Sequence, residues 1–395
     1  MYEIEAMKNA WKAGGVEDCM QHLESKLDEW KNEPLNVAVI GNSGVGKSSF
    51  INAIRGLTAD DEGSAPVGVT QATKEPRSYQ HPNNPMLKFW YLPGVGTNLF
   101  PKHSYLSKIK VDRYDFFLLM TADRFTENDT WLGNEIHERH KKYFLVRTKI
   151  ANDIYDNKKS HPKTHNEEAV IEKIRRSTED ELRKNEFEDV PVFLIDNYQL
   201  DKFDFEKLKE QLISDLPDLK RTSLIFSLHS TSEQMIQLKV KELRSRIWKF
   251  ALLSAGGAAI PIPGISVAVD LVIILRDALF YFKQLGLDSE SLKRTANLHS
   301  VDYEKMQSIV RKALEIRRVS AVTIVVAILA SSLPLAAEAV KESVKKFLPL
   351  RVIGSLIAAP LSFGGIYLAL KLVLDKFEQV ALDVMKSAAD SVDMA

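Results

Sequence analysis

Apolar positions recur at helical spacing through the first thirty residues. Ile4, Met7 and Trp11 form one stripe, and Met20, Leu23, Leu27 and Trp30 form another, at intervals of three and four. Gly14-Gly15 separates the two, and the stretch NEPLN with Pro34 ends the segment. From there to about residue 215 the pattern changes to short β-rich runs at 37–40, 87–92, 116–120, 144–147 and 192–195. Polar stretches of helical character, such as 167–184, lie between them. Strands alternating with helices predict a mostly parallel sheet, with ligands at the strands' C-terminal ends. Beyond residue 216 strand signals nearly vanish. Long apolar stretches at 252–275, 319–337 and 352–374 are interrupted by Pro261, Pro263, Gly264, Pro334, Pro360 and Gly364-Gly365, and read as helices. The pattern predicts an α/β domain over 34–215, inserted in a helical domain built from residues 1–33 and 216–395.

The stretch NVAVIGNSGVGKSSFINAI, residues 36–54, is an apolar strand, a glycine-rich turn and the start of a helix. Gly41-Asn42-Ser43-Gly44-Val45-Gly46-Lys47-Ser48 matches the phosphate-binding pattern G-x-x-x-x-G-K-[ST] in full, in the right context. Glycines let the backbone wrap closely, so that successive N–H groups face phosphate oxygens, and the helix N-terminus adds partial positive charge. In this pattern Lys47 reaches the β- and γ-phosphates and the Ser48 hydroxyl ligates Mg²⁺.

Further short matches follow in order: GNSGVGKSSFINAIRGL, GVTQATKEP, FWYLPGVGT, YDFFLLMTADRF, YFLVRTK and FDFEKLKEQLISDLP, all within residues 36–217. In these the chain resembles the immunity-related GTPases, an interferon-inducible, dynamin-like family. The resemblance continues more loosely through IPIPG and the helical remainder. It implies a Ras-like G domain on a helical domain, GTP and GDP binding with Mg²⁺, and self-assembly or pairing with related GTPases. It also implies innate, cell-autonomous defence at intracellular membranes. By resemblance Ser49 and Gly94 join the phosphate site, Thr73 closes on Mg²⁺ and the γ-phosphate, and Thr148, Lys149 and Asn197 surround the base.

Three positions depart from the family pattern, each from a carboxylate to a neutral group. Tyr91-Leu92-Pro93-Gly94 stands where the family has D-L-P-G, and a phenol with a reference pKa of about 10 brings no charge to Mg²⁺. Thr148-Lys149-Ile150-Ala151 stands where the family has T-K-x-D, whose aspartate accepts two N–H donors of guanine. Each hydrogen bond lost to a charged acceptor costs about 1.5–3 kcal/mol, about tenfold to a hundredfold in affinity. Asp153 could replace that acceptor only if the loop shifted. Gln71 stands at the position of a glutamate linked to turnover; an amide orients water but takes no proton. In LIDN, Asp196 replaces the family's serine beside Asn197. Phosphate binding is therefore expected, guanine selectivity is expected to be weak, and hydrolysis slow or lost. Three readings remain open: a GTPase that turns over slowly on assembly, an impaired nucleotide-binding regulator that pairs with active relatives, and a membrane-anchored structural protein with a vestigial phosphate loop, which the intact Gly41–Ser48 stretch opposes.

Composition adds limits. Lys plus Arg and Asp plus Glu both number 53, so the net charge of zero disfavours a nucleic-acid ligand. Cys19 is the sole cysteine, which fits a reducing, cytoplasmic setting. The first residues carry no signal-peptide pattern, and Tyr2 excludes N-myristoylation. The spacings of His137 and His140, and of His161 and His165, allow zinc pairs, but no further Cys or His stands near, and solvated residues are the preferred reading. Residues 352–370 hold no charge and are long enough to span a bilayer, yet their Gly, Ser and Pro suit tight helix packing. Buried core is preferred there, with a membrane-facing helix as the alternative. Lys341, Lys345, Lys346 and Arg351 give that stretch a basic edge suited to peripheral membrane contact.

Overall fold

The computed structural model describes residues 9, 12–14, 18, 21–22, 24–68, 75–96, 98–122, 125–185, 187, 189–257, 276–299, 301–314 and 363–392. They fall into two compact units, one of residues 31–228 and one that joins residues 1–30 to 229–395.

The first unit is built on β1 (Leu35–Gly41), α1 (Lys47–Ile54), β2 (Arg77–His81), β3 (Asn84–Tyr91) and α2 (Lys102–Ile109). There follow β4 (Phe116–Thr121), α3 (Glu127–Glu138), β5 (Lys142–Arg147), α4 (Ile150–Ser160) and α5 (Glu167–Lys184). The unit ends with β6 (Val192–Leu194), α6 (Phe205–Ser214) and α7 (Asp218–Ser227). The six strands run in the order β2-β3-β1-β4-β5-β6. Only the β2–β3 pair is antiparallel. This is a Ras-like P-loop G domain, α/β with a mostly parallel sheet. Every residue of β4 is buried, as is all of β1 except half-buried Asn36, as strands covered on both faces require. On one face Ala38, Ile40, Phe117, Leu119 and Leu145 pack with Tyr105 and Ile109 of α2 and Leu132 and Ile136 of α3. β1 lies between β3 and β4, and the chain crosses past it from β3 to β4, the kind of strand-order switch at whose C-terminal end ligands bind. The phosphate-loop sequence begins at that end.

The second unit is helical. It holds α8 (Glu233–Gly257), α9 (Ser289–Leu298), α10 (Tyr303–Ala313) and α11 (Phe363–Val392). α8 and α10 both pack against α11. Leu27 and Trp30 from the N-terminal segment are buried in this unit. Arg246 of α8 donates to the Leu27 carbonyl at 2.5 Å and to the Asp28 carboxylate at 3.1 Å.

Among the described residues no helix is long and apolar enough to cross a membrane. Gln71, Thr73, Cys19, the stretch 319–337, most of 252–275 and 352–370, and the basic positions Lys341, Lys345, Lys346 and Arg351 lie outside the described residues.

Candidate functional site: the loop after the first strand

Two glycines make the loop possible. Gly41 has φ 147°, and a Cβ there would meet the Met120 carbonyl oxygen at 2.1 Å. Gly46 has φ 90°, and its Cβ would meet the Asn197 amide nitrogen at 2.9 Å. A side chain at Gly41 would run into the β4 backbone, and at Gly46 the left-handed φ calls for glycine. α1 begins at the next residue, and no side chain at its N-cap bonds to its first amides.

Lys47 is buried inside this loop. Its Nζ donates to the carbonyls of Gly41 and Asn42, both at 2.7 Å. Burial pushes its pKa down to about 8, against the opposing pull of the Asp129 carboxylate. The ring of Tyr91 stands 4.9 Å from the ammonium, a cation–π contact at the end of β3. The residue that replaces the family carboxylate therefore faces the loop lysine with a neutral ring. Beyond it, the Tyr105 phenol donates to the Pro93 carbonyl at 2.6 Å and pins the strand's exit. Gly94 lies against the loop, where a Cβ would come 3.7 Å from the Gly41 carbonyl oxygen.

A second set of groups holds the loop from the base side. The Thr148 hydroxyl, fully buried, donates to the Val45 carbonyl at 2.7 Å. The Asn197 amide donates to the Gly46 carbonyl at 3.1 Å, and its Oδ1 is buried without a hydrogen-bond partner. Lys149 is exposed and opens α4 with φ 62°. Ser43 and Gly44 are exposed at the loop's tip, and Ser48 and Ser49 are half-buried in the first turn of α1. Twelve of the residues singled out in sequence — Gly41, Asn42, Ser43, Gly44, Val45, Gly46, Lys47, Ser48, Ser49, Gly94, Thr148 and Asn197 — thus sit in or around one loop.

Asp153 is committed elsewhere. Its carboxylate accepts from Arg147 Nη2 at 2.7 Å, and Arg147 Nη1 donates to the Thr148 carbonyl at 3.0 Å. Arg147 is buried, so freeing Asp153 for a ligand strips a desolvated guanidinium of its counter-charge.

Three contributors escape the motif patterns. Asp129, 2% exposed, accepts from the Thr126 amide at 3.0 Å and hydroxyl at 2.7 Å in a capping box at the start of α3. The Asn42 amide reaches this pair, 3.2 Å from Thr126 Oγ1 and 3.4 Å from Asp129 Oδ2. Burial raises the Asp129 pKa, while the Thr126 hydrogen bonds and the Lys47 charge act the other way. The T-x-x-D spacing of Thr126 and Asp129 is a legible cap signal, although nothing in it points to the loop. The third is Tyr198, whose hydroxyl lies 3.1 Å from that of Ser49.

The glycine-lined loop, with its lysine drawn inward and helix amides at its rim, fits the phosphates of a nucleotide. Among the described residues, Ser48 is the protein ligand a phosphate-bound Mg²⁺ would meet. Tyr91 adds no carboxylate.

Residues 1–337 match the family described as interferon-inducible GTPase (IIGP). The chain belongs to the interferon-inducible GTPase family. It is 34% identical to Interferon-inducible GTPase 1 of Mus musculus over 76% of this chain and 73% of that one. It is 33% identical to Interferon-inducible GTPase 5 of Rattus norvegicus, over 98% and 83%. The Bos taurus protein of the same description is 34% identical, over 98% and 82%. Membership places the three neutral positions, Gln71, Tyr91 and Ala151, within a family named for GTP hydrolysis.

Proposed function

We propose that this interferon-inducible GTPase binds guanine nucleotide, GTP or GDP with Mg²⁺, and turns it over slowly or not at all. The unbroken loop with Lys47 buried inside it carries this reading. Backbone groups of residues 41–46 and the first amides of α1, Ser49 included, receive the phosphates. Lys47 exchanges two carbonyl partners for phosphate oxygens, so its charge is repositioned rather than newly created. Ser48 and Thr73 hold Mg²⁺, which when bound neutralises phosphate charge. Thr148 and Asn197 fix the loop's base side, Lys149 covers the base with its aliphatic stem, and Gly94 lets β3's exit approach the γ-phosphate. Gln71 orients the attacking water. The chain acts in innate defence as a cytoplasmic protein, peripherally bound to intracellular membranes, as a homo-oligomer or with related GTPases.

A second reading is favoured by one contact, the Tyr91 ring set against Lys47 where a metal-binding carboxylate belongs to the family pattern. In it the chain is a nucleotide-binding regulator that pairs with active relatives. The two readings separate in one experiment. Nucleotide is released from the purified protein and identified, and phosphate release from GTP is then followed with Mg²⁺, alone and with an active relative. Bound GDP or GTP supports the shared reading. Steady turnover of the isolated chain favours the enzyme, and turnover altered only in the mixture favours the regulator. Protein that carries and binds no nucleotide overturns both.

A further inference from the structure

The base side of the loop lacks the charged acceptor that the family pattern places at residue 151. Ala151 has no side-chain polar atom. Asp153 is held by Arg147, and Asp196, 5% exposed, accepts from the Tyr198 amide at 2.9 Å. Asp153 is thus tied up in an ion pair, and one oxygen of Asp196 in the turn. What the same place does offer is an aromatic face. Tyr198 is 77% exposed, the most exposed of the large apolar side chains described. It is nonetheless held at two points. The turn closed by Asp196 fixes its backbone, and the Ser49 hydroxyl, 3.1 Å away, fixes its phenol. The next residue back, Asn197, is bonded to Gly46. The ring therefore stands beside residues 46–49, the segment whose amides would take the phosphates, with its face in solvent.

A solvent-facing aromatic ring, fixed in place next to a phosphate cradle, is a surface on which a nucleobase stacks. Stacking is indifferent to the base's edge, because every base has a π-face. We propose that Tyr198 is the base platform of this site, and that the protein recognises nucleoside di- and triphosphates by phosphate and base face with little regard to base identity. Asp196 and Ser49 are the positioning residues of this platform. The proposal rests on the phosphate-loop reading above, and goes beyond it in the ligand class: adenine nucleotides compete with guanine nucleotides.

The test uses the full chain and three probes: labelled GDP, labelled ADP, and inorganic tripolyphosphate as a ligand without a base. Native protein is expected to bind GDP and ADP within about tenfold of each other. Tyr198→Ala is expected to weaken both by about 5- to 150-fold, the factor that corresponds to about 1–3 kcal/mol of stacking. Tripolyphosphate affinity is expected to change little, and Tyr198→Phe, which keeps the ring but loses the Ser49 contact, is expected to weaken nucleotides less than Tyr198→Ala does. Because the side chain is exposed, both variants can be matched to native thermal stability. Unchanged GDP and ADP binding in Tyr198→Ala overturns the platform while leaving the phosphate loop standing. So does a native preference for GDP above a hundredfold that survives in that variant. Absence of binding by all three probes overturns the phosphate-loop reading as well.

Discussion

Lys47 spends the free state inside its own loop, charged but desolvated, on two carbonyls and a tyrosine face. Its pKa of about 8 makes its proton part of the binding equilibrium. Phosphate oxygens favour the charged amine and raise that value in the complex. Below pH 8 the group is protonated free and bound, so affinity should be flat. Above pH 8 the free protein sheds the proton and binding must take it up again. Affinity should then fall as pH rises, by up to about tenfold per unit until the bound-state pKa is reached. Calorimetry of GDP binding from pH 6.5 to 9.5 gives the slope. Lys47→Ala should bind too weakly to measure or, if measurable, show no such fall. A native profile flat through pH 9.5 would mean that the ammonium is not the group that meets the phosphates.

At the scale of elements, the loop leans on two helix starts. At α3, Thr126 caps the helix and shares the Asn42 amide with Asp129. Thr126→Ala should cost about 0.5–2 kcal/mol of stability, as loss of a cap does, and loosen the loop as well. A lowered melting temperature with unchanged nucleotide affinity would confine the cap's role to the helix. At α4, the half-buried Ala151 sits in the first turn, and Asp153 two residues along is locked by Arg147. Ala151→Asp supplies an acceptor without breaking that pair. It should raise the preference for GTP over ATP by about tenfold or more, since each charged hydrogen bond is worth about 1.5–3 kcal/mol. Competition of labelled GTP by ATP measures the ratio, and a ratio that stays put means that the loop holds residue 151 away from the base. These elements also show what a sequence reveals. The loop itself is contiguous, strand to helix within fourteen residues (41–54), and so is plain from its pattern. β2 is not: Arg77-Ser78-Tyr79-Gln80-His81 is an antiparallel edge strand with three exposed residues, and it carries no apolar run. Asp129 and Tyr198 reach the loop from 87 and 149 residues away. No local spacing encodes such a contact. Residues 218–227 follow the change of texture at 216 yet lie in the α/β unit, because Ser223 accepts from the Asn84 amide and the Ser227 carbonyl accepts from Asn83.

Over the whole molecule, one unit carries the nucleotide chemistry and the other gathers both ends of the chain. In the helical unit Arg246 joins the N-terminal segment to Asp277, a carboxylate with no exposed surface, at 3.3 Å. Any turnover by this chain is expected to depend on the neutral positions 71 and 91. Gln71 takes no proton from water, and Tyr91 sets a ring over Lys47 where a carboxylate would hold the metal's shell. Binding suffers less from these changes than chemistry does, because Lys47, Ser48 and the loop amides remain, while phosphoryl transfer depends on metal placement and an oriented nucleophile. Restoring both acids, Gln71→Glu with Tyr91→Asp, should therefore raise the rate of phosphate release by at least about tenfold and change GTP affinity by less. The new aspartate also removes the ring from Lys47, so the variant should need Mg²⁺ for tight binding more than the native protein does. If G domains pair in use, the gain should grow with protein concentration, and phosphate release followed over a hundredfold range of concentration tests this. A native protein that already turns over briskly, or a folded double variant that binds GTP and gains nothing, would place the rate-limiting chemistry away from residues 71 and 91.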